Sequence, residues 1–224
     1  MLKRLTMSRL TRKDERNFYK SLTKNEKVAI VKALKTNKPW DYNNKDIKTV
    51  KDKIKKFHLE RTRNRCCYCN SSLIDRNIES DREHIIPKSI NKNLSYNIFN
   101  LSVSCKRCNM AYKKDDISHI IEPQNIIRKL RESDNYNIPH PNIDNYEEHI
   151  GYFYLCVDKS ELLIYRPFSA KGKRLYEMFS LQTLEINTLF RAQGAYMPLE
   201  IEEIQAFLFR DFFLSRRIRN IVIV

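Results

Sequence analysis

Two cysteine pairs, Cys66/Cys69 and Cys105/Cys108, each enclose two residues. Four thiolates delivered from two such turns are what a tetrahedral Zn²⁺ site needs. Between the pairs stands DREHIIP, Asp81 to Pro87, and directly after Cys108 comes Asn109. A carboxylate and an amide oxygen suit a hard Mg²⁺-like cation that keeps several waters, and an imidazole beside them can take a proton from water. These residue types therefore combine one structural metal with one hydrolytic metal. Cys67 lies inside the first turn, cannot easily join the same tetrahedron as its neighbours, and reads as packing. Cys156, in an apolar run, reads as a small buried hydrophobe. His58, His119, His140 and His149 have no comparable company and read as surface or core residues.

The elements that must position these groups can be traced in the pattern. Alternation around Glu83 and His84 predicts a strand ending near Ile85, then an irregular stretch from Pro87 to Ile98. A second strand is expected at Leu101 to Ser104 and a short helix from about Lys106 to Lys114. The order is strand, loop, strand, helix, with the helix start tied down by zinc, so that Asn109 can face a strand carrying Glu83 and His84. Upstream, Thr23-Lys24-Asn25-Glu26 has the form of a capping box, and Val28, Val31 and Leu34 suggest a short helix that Pro39 closes. Ile47, Val50, Ile54 and Phe57 recur at helical spacing and predict a helix from about Lys45 to His58. Downstream, HIGYFYLCV and LLIYRPF flank DKSE and read as a β-hairpin, and roughly Lys171 to Ser215 reads as two or three helices.

Charge sharpens the picture. The chain of 224 residues carries a net +15, and residues 1–65 hold 21 basic against 7 acidic residues, a surplus of 14. Clustered lysines and arginines gain affinity for polyanions by releasing phosphate counterions. The residues expected to track a phosphate backbone include Lys48, Lys51, Lys55 and Lys56. A solvated lysine-rich surface is the plainer account of the same charge. Forty-two per cent hydrophobic content is enough for one substantial domain or two small ones. No apolar run reaches the roughly twenty residues needed to cross a bilayer, and the N-terminal stretch lacks a secretory signal, so a cytoplasmic, non-membrane location is expected. In a reducing compartment the two CxxC pairs favour metal binding over disulfides. Three glycines, Gly151, Gly172 and Gly194, exclude a glycine-rich phosphate loop.

At Glu83-His84 with Pro87, Asn100 before Leu101, and Cys108-Asn109, framed by the two cysteine pairs, the sequence resembles the HNH endonucleases, built on the ββα-metal motif. The likeness covers about Arg65 to Asp116. It implies that His84 is the general base, that Glu83 and Asn109 hold a catalytic Mg²⁺ or Mn²⁺, that Asn100 braces the loop and helps orient His84, and that Asp81 supports the metal ligands from behind. Two positions depart from the family. The loop SINKNLSYNIF has no glycine, so asparagines must supply any left-handed turns. Tyr112 stands where the family often has a lysine, with Lys113 and Lys114 next, so a phosphate contact from Lys113 does not carry over. The basic N-terminus, RNRCCYC, the PKS after His84 and LQTLEINTLFR are similar to the HNH effectors paired with an ATPase in Septu-type and retron-associated antiphage systems. That likeness implies an ATPase partner protein, for which the C-terminal apolar residues Phe207, Phe209, Phe212, Phe213 and Ile221 to Val224 offer a surface; an ordinary helical core is the plainer account.

The expectation is a mostly helical α+β protein in three parts: a basic helical arm at 1–63, a zinc-stapled nuclease core at 64–118, and a hairpin-plus-helices region at 119–224. The expected activity is hydrolysis of phosphodiester bonds in nucleic acid, with DNA favoured over RNA. The competing readings are a non-catalytic zinc-dependent nucleic-acid-binding or adaptor protein, and a nuclease inert until a partner assembles with it.

Overall fold

The computed structural model describes residues 9–74, 80–157 and 160–187. They form two units, residues 9–150 with 167–181, and residues 151–166 with 182–187, in a mixed α/β arrangement.

The larger unit opens with three helices, α1 (Arg12–Ser21), α2 (Lys24–Leu34) and α3 (Lys45–Thr62). Capping boxes start the first two, Thr11 with Asp14 and Thr23 with Glu26, each satisfying otherwise unpaired amide groups of the first turn. Glu26 does more than cap. It is buried, and its carboxylate takes the Lys53 ammonium of α3 at 2.8 Å. The valines that marked α2 in the sequence face outward, Val28 44% and Val31 55% exposed, while Ala29 and Ala33 form the buried stripe. Small residues one turn apart let α2 lie close to α3. On α3 the buried positions are Ile47, Val50, Ile54, His58 and Thr62, a helical spacing that runs one turn beyond the expected end. The helix stops at Arg63 and Asn64, both left-handed at φ 55° and 56°, which turn the chain toward Cys66.

Strands β1 (Ser80–His84) and β2 (Leu101–Cys105) pair antiparallel, with Glu83 opposite Ser102 and His84 opposite Leu101. Side chains alternate across a strand, so Arg82 and His84 share the face of Leu101 and Val103, while Asp81 and Glu83 share the other. The first face meets α3: Leu101 joins Ile47, Val50 and Ile54 in one core cluster, and Arg82 bonds the Lys51 carbonyl at 2.8 Å. The second face meets a π-helix at Arg107–Lys113. Its Lys114 amide bonds the Asn109 carbonyl five residues back at 2.8 Å. The same winding brings Arg107 over the Tyr112 ring at 4.2 Å. Arg107 also donates to the carbonyls of Phe179 and Ser180, each at 2.9 Å, which fixes the start of this turn. The expected strand, loop, strand, helix order is present, with π instead of α winding in the last element.

After a second apolar cluster around Ile85, Ile86, Ile120 and Tyr136, the larger unit closes with α4 (Tyr146–His149) and α5 (Ala170–Met178). These two approach so closely that a Cβ on Gly172 would sit 1.8 Å from the His149 carbonyl oxygen. The smaller unit is a sheet of β3 (Ile150–Val157), β4 (Ser160–Pro167) and β5 (Ile186–Asn187) in that order. The expected hairpin is β3/β4. Of the expected downstream helices the described residues contain α5, whereas Ile186 and Asn187 pair with Leu163 and Leu162 as a strand. A 3₁₀ turn at Leu181–Leu184 lies between them; from residue 188 on that stretch, including the C-terminal apolar residues, lies outside the described residues, as does the Cys156 side chain. Among the described residues no helix is long and apolar enough to cross a membrane.

Three histidines are fully buried, His58, His119 and His140. Burial disfavours the charged ring and lowers all three pKa values, to about 3 for His119 and His140. An unfolded histidine titrates near 6.5. Stability is therefore fully present above about pH 6.5 and lost as pH falls toward the folded values, by up to about 1.4 kcal/mol per pH unit for each ring. NMR should show no titration of these three rings between pH 8 and 5, together with denaturant midpoints that fall below pH 6.5. A ring that titrates normally in the folded protein would contradict its burial.

Candidate metal centre and hydrolytic site

The four cysteines of the two pairs converge. Their sulfur atoms all lie within 4.8 Å of one another, every one of the residues is buried, and Cys69 Sγ is 3.8 Å from Cys105 Sγ. The edge of a tetrahedron with Zn–S arms of about 2.3 Å is close to that length. Backbone amides point at the sulfurs, Cys105 N to Cys66 Sγ at 3.4 Å and Cys108 N to Cys105 Sγ at 3.5 Å, as a thiolate cluster requires. This cluster can hold a zinc ion. Asn70 at φ 57° turns the first knuckle, and Cys67 stands outside the tetrahedron, buried with its amide on the Val103 carbonyl at 3.0 Å. The cluster thus joins the turn after α3 to the junction of β2 and the π-helix.

Glu83 and Asp81 face the π-helix, and both meet side chains from it. Asn109 donates its amide to Asp81 at 3.2 Å. Glu83 is 1% exposed, takes the Tyr68 hydroxyl at 2.9 Å, and has the Lys113 ammonium 3.9 Å from the same oxygen. Lys113 is itself wholly buried. Burial pushes the Glu83 carboxyl up to about 7 against the opposing pull of Lys113 and Tyr68. Burial likewise lowers the Lys113 ammonium, so both partners are driven toward their neutral forms. Tyr68 comes from within the first cysteine turn and stacks on Phe179, with ring centres 4.3 Å apart. The zinc knuckle thereby delivers the hydroxyl that fixes Glu83. The structure thus brings Asn109 to Asp81, while Glu83 on the same face is engaged by Tyr68 and Lys113.

His84 turns to the other face, where its ring meets the Trp40 ring edge-on at 4.5 Å. Its Nε2 lies 3.2 Å from the Ser95 carbonyl oxygen. A carbonyl only accepts, so Nε2 carries the proton and Nδ1 the lone pair. Burial, with the charges of Lys88 and Lys113 adding to it, lowers the ring to about 4 and keeps it neutral at physiological pH. Asn100 is wholly buried just across the strand ends. Its side chain accepts from Ile86 N at 2.8 Å and donates to the Ile86 carbonyl at 3.0 Å, while its own carbonyl takes Ile85 N at 2.9 Å. It therefore fixes the backbone immediately after His84.

Of the four lysines expected to meet nucleic acid, Lys51 lies 4.9 Å over the Trp40 ring, near His84. Lys55 and Lys56 border a separate hollow with Leu59 and Asn64, and Lys48 is exposed. Sequence reasoning missed Lys113 and Tyr68. A lysine among 42 basic residues gives no sign that it is buried, and Tyr68 was hidden by the cysteines around it. It also missed Trp40, which as the chain's only tryptophan was a signal within reach.

Neither a family model nor a solved structure matches the chain. Over 132 residues it is 31% identical to the Septu protein PtuB of Bacillus thuringiensis, an alignment covering 59% of this chain and 42% of that protein. The chain thus spans less than half the length of the curated relative it matches.

Cys66→Ser and Cys105→Ser should lose tightly bound zinc and melt at lower temperature, because structural zinc supplies folding free energy. Cys67→Ser should keep the metal. Metal analysis with zinc retained in the Cys105 variant and lost in the Cys67 variant would reverse the ligand assignment. Lys113→Met should raise the Glu83 carboxyl further and destabilise the fold above neutral pH, where the unpaired group must ionise on unfolding, and adding Glu83→Gln should remove that pH dependence. Denaturant titration of the two variants checks the pair.

Proposed function

We propose that this chain is a metal-dependent endonuclease of the HNH type that hydrolyses phosphodiester bonds in nucleic acid, and that it serves bacterial antiphage defence with an ATPase partner. The observation that carries the reading is the hairpin clamped between α3 and a cysteine-tethered π-helix, with His84 at its end and Asp81, Glu83 and Asn109 gathered on one face. The similarity to PtuB supports the defence role and the multi-protein setting. Residues 64–118 form the nuclease core in this reading, with 1–63 as the basic arm and 119–224 as the C-terminal region.

His84 acts as the general base through Nδ1, with Ser95 holding the tautomer and Asn100 holding the backbone beside it. A ring lowered to about 4 is a weak base in isolation. An anionic phosphate within about 4–6 Å favours the protonated ring and raises its basicity when substrate is present. Glu83 and Asn109, with Asp81 behind them, are the residues that hold the divalent cation, which when bound supplies charge stabilisation for the phosphorane and the leaving oxygen. Lys113 and Tyr68 keep the Glu83 carboxylate in place. The zinc cluster takes no part in the chemistry.

One observation favours a second reading, a non-catalytic zinc-dependent nucleic-acid-binding or adaptor protein: Glu83 is sealed from solvent by Tyr68 and Lys113, as a purely structural carboxylate would be. Cleavage assays on DNA and RNA with and without Mg²⁺ or Mn²⁺, alone and with the ATPase partner, separate the two. His84→Ala should abolish cleavage while folding and binding persist, since a base acts on water and not on the ground-state complex. Asn109→Ala should keep zinc and the fold but lose metal-dependent cleavage, as should Glu83→Gln combined with Lys113→Met, which strands no buried charge. Full activity in the His84 variant would sink the mechanism, and loss of folding there would make the residue structural.

A further inference from the structure

Beside His84 the structure has a cavity of about 220 Å³ that the functional reading so far leaves unused. Trp40 forms part of its wall, and Ser95, whose carbonyl takes the His84 ring, forms another. Lys38, Lys88 and Lys92 stand around it, with Asp41 as the one acid. The Lys88–Asp41 pair is 3.8 Å apart with both side chains about half exposed, so a phosphate can displace the carboxylate at little cost. Lys51 lies over the Trp40 ring and Tyr96 and His84 pack against it, so a base meets the part of the indole that lines the cavity; with the lysines around it, this combines a stacking surface for a base with charges for the backbone. A duplex offers phosphates but no base face, and its stacked bases cannot enter a recess of this size.

We propose that this cavity seats one unpaired nucleotide of a nucleic-acid strand, its base against Trp40 and its flanking phosphates on Lys38, Lys88 and Lys92. The proposal rests on reading His84 as the base, and it makes the substrate a single strand, a loop or a locally opened duplex. Trp40 and Ser95 line the cavity and both touch the His84 ring, which links a nucleotide seated there to the imidazole.

Trp40 is the only tryptophan of the chain, and its fluorescence reports on the cavity without interference. Short single strands of DNA or RNA, on the order of ten nucleotides, should quench that emission saturably when added to the intact zinc-loaded protein without Mg²⁺ or Mn²⁺. The corresponding duplexes should bind with much less quenching. Trp40→Ala should weaken single-strand binding roughly tenfold or more, read by anisotropy of a labelled strand, and leave duplex binding within about twofold. Lys38→Ala, Lys88→Ala and Lys92→Ala combined should lower the slope of log affinity against log salt by about 2 for single strands. Equal quenching by single strands and duplexes, binding with unchanged emission, or no binding of either would overturn the proposal. These readouts need no turnover, so a nuclease reading that fails in the cleavage assay leaves them intact, and the converse also holds. Should Trp40→Ala fold poorly, the wild-type quenching and the lysine variant decide the matter.

Discussion

A two-stranded hairpin of five-residue strands is too small to hold itself together in water, yet Asp81, Glu83 and His84 all hang on one. The rest of the larger unit supplies what the hairpin lacks. On one face α3 contributes an apolar stripe and backbone acceptors for Arg82. On the other, the π-helix brings Asn109 and Lys113 to Asp81 and Glu83. The start of β2 is held by Asn142, whose side chain donates to the carbonyls of Phe99 and Leu101 at 2.8 Å each and accepts from Arg61. The cysteine cluster connects these supports, since its ligands come from the turn after α3, the last residue of β2 and the π-helix.

The electrostatics follow from that clamping. Packing both faces leaves Glu83 and Lys113 without water, and a carboxylate in such a place is tolerated only with partners of its own. Tyr68 and Lys113 are those partners, one from the knuckle and one from the helix. His84 meets a milder constraint. It sits where the strand ends, against an aromatic ring and a carbonyl, an environment that fixes its tautomer and leaves it uncharged. Two adjacent residues in sequence thus occupy different electrostatic settings because a strand turns them to different sides.

Much of this was legible in the sequence. Cysteine spacing located the metal cluster, since four thiolates in two short turns have few other uses, and capping residues and apolar spacing located α2 and α3. Which face of α2 is buried was not legible, because Val28 and Val31 carry more hydrophobic weight than Ala29 and Ala33, while close helix approach selects for small side chains. The helix α1 is nearly all polar, with Phe18 its one buried residue, and its start signal, Thr11 with Asp14, was not read. Long-range pairings were beyond reach for a general reason. Nothing local distinguishes Lys113 from its solvated neighbours, and only the fold reveals that its aliphatic stem is enclosed and its ammonium faces Glu83.

The register of β1 on β2 has a consequence for how the protein matures. A slip of one residue would turn Asp81 and Glu83 toward α3 and His84 toward the π-helix, exchanging the surroundings of every polar group without breaking the chain or greatly changing its composition of contacts. Cys105 opposes Ser80 at the last position of the ladder, so the residue that sets the register is also one that can grip the metal. A metal held by the four cysteines would therefore pin this alignment. A zinc ion there would add a support for the alignment that local composition cannot supply, beside those from α3, the π-helix and Asn142.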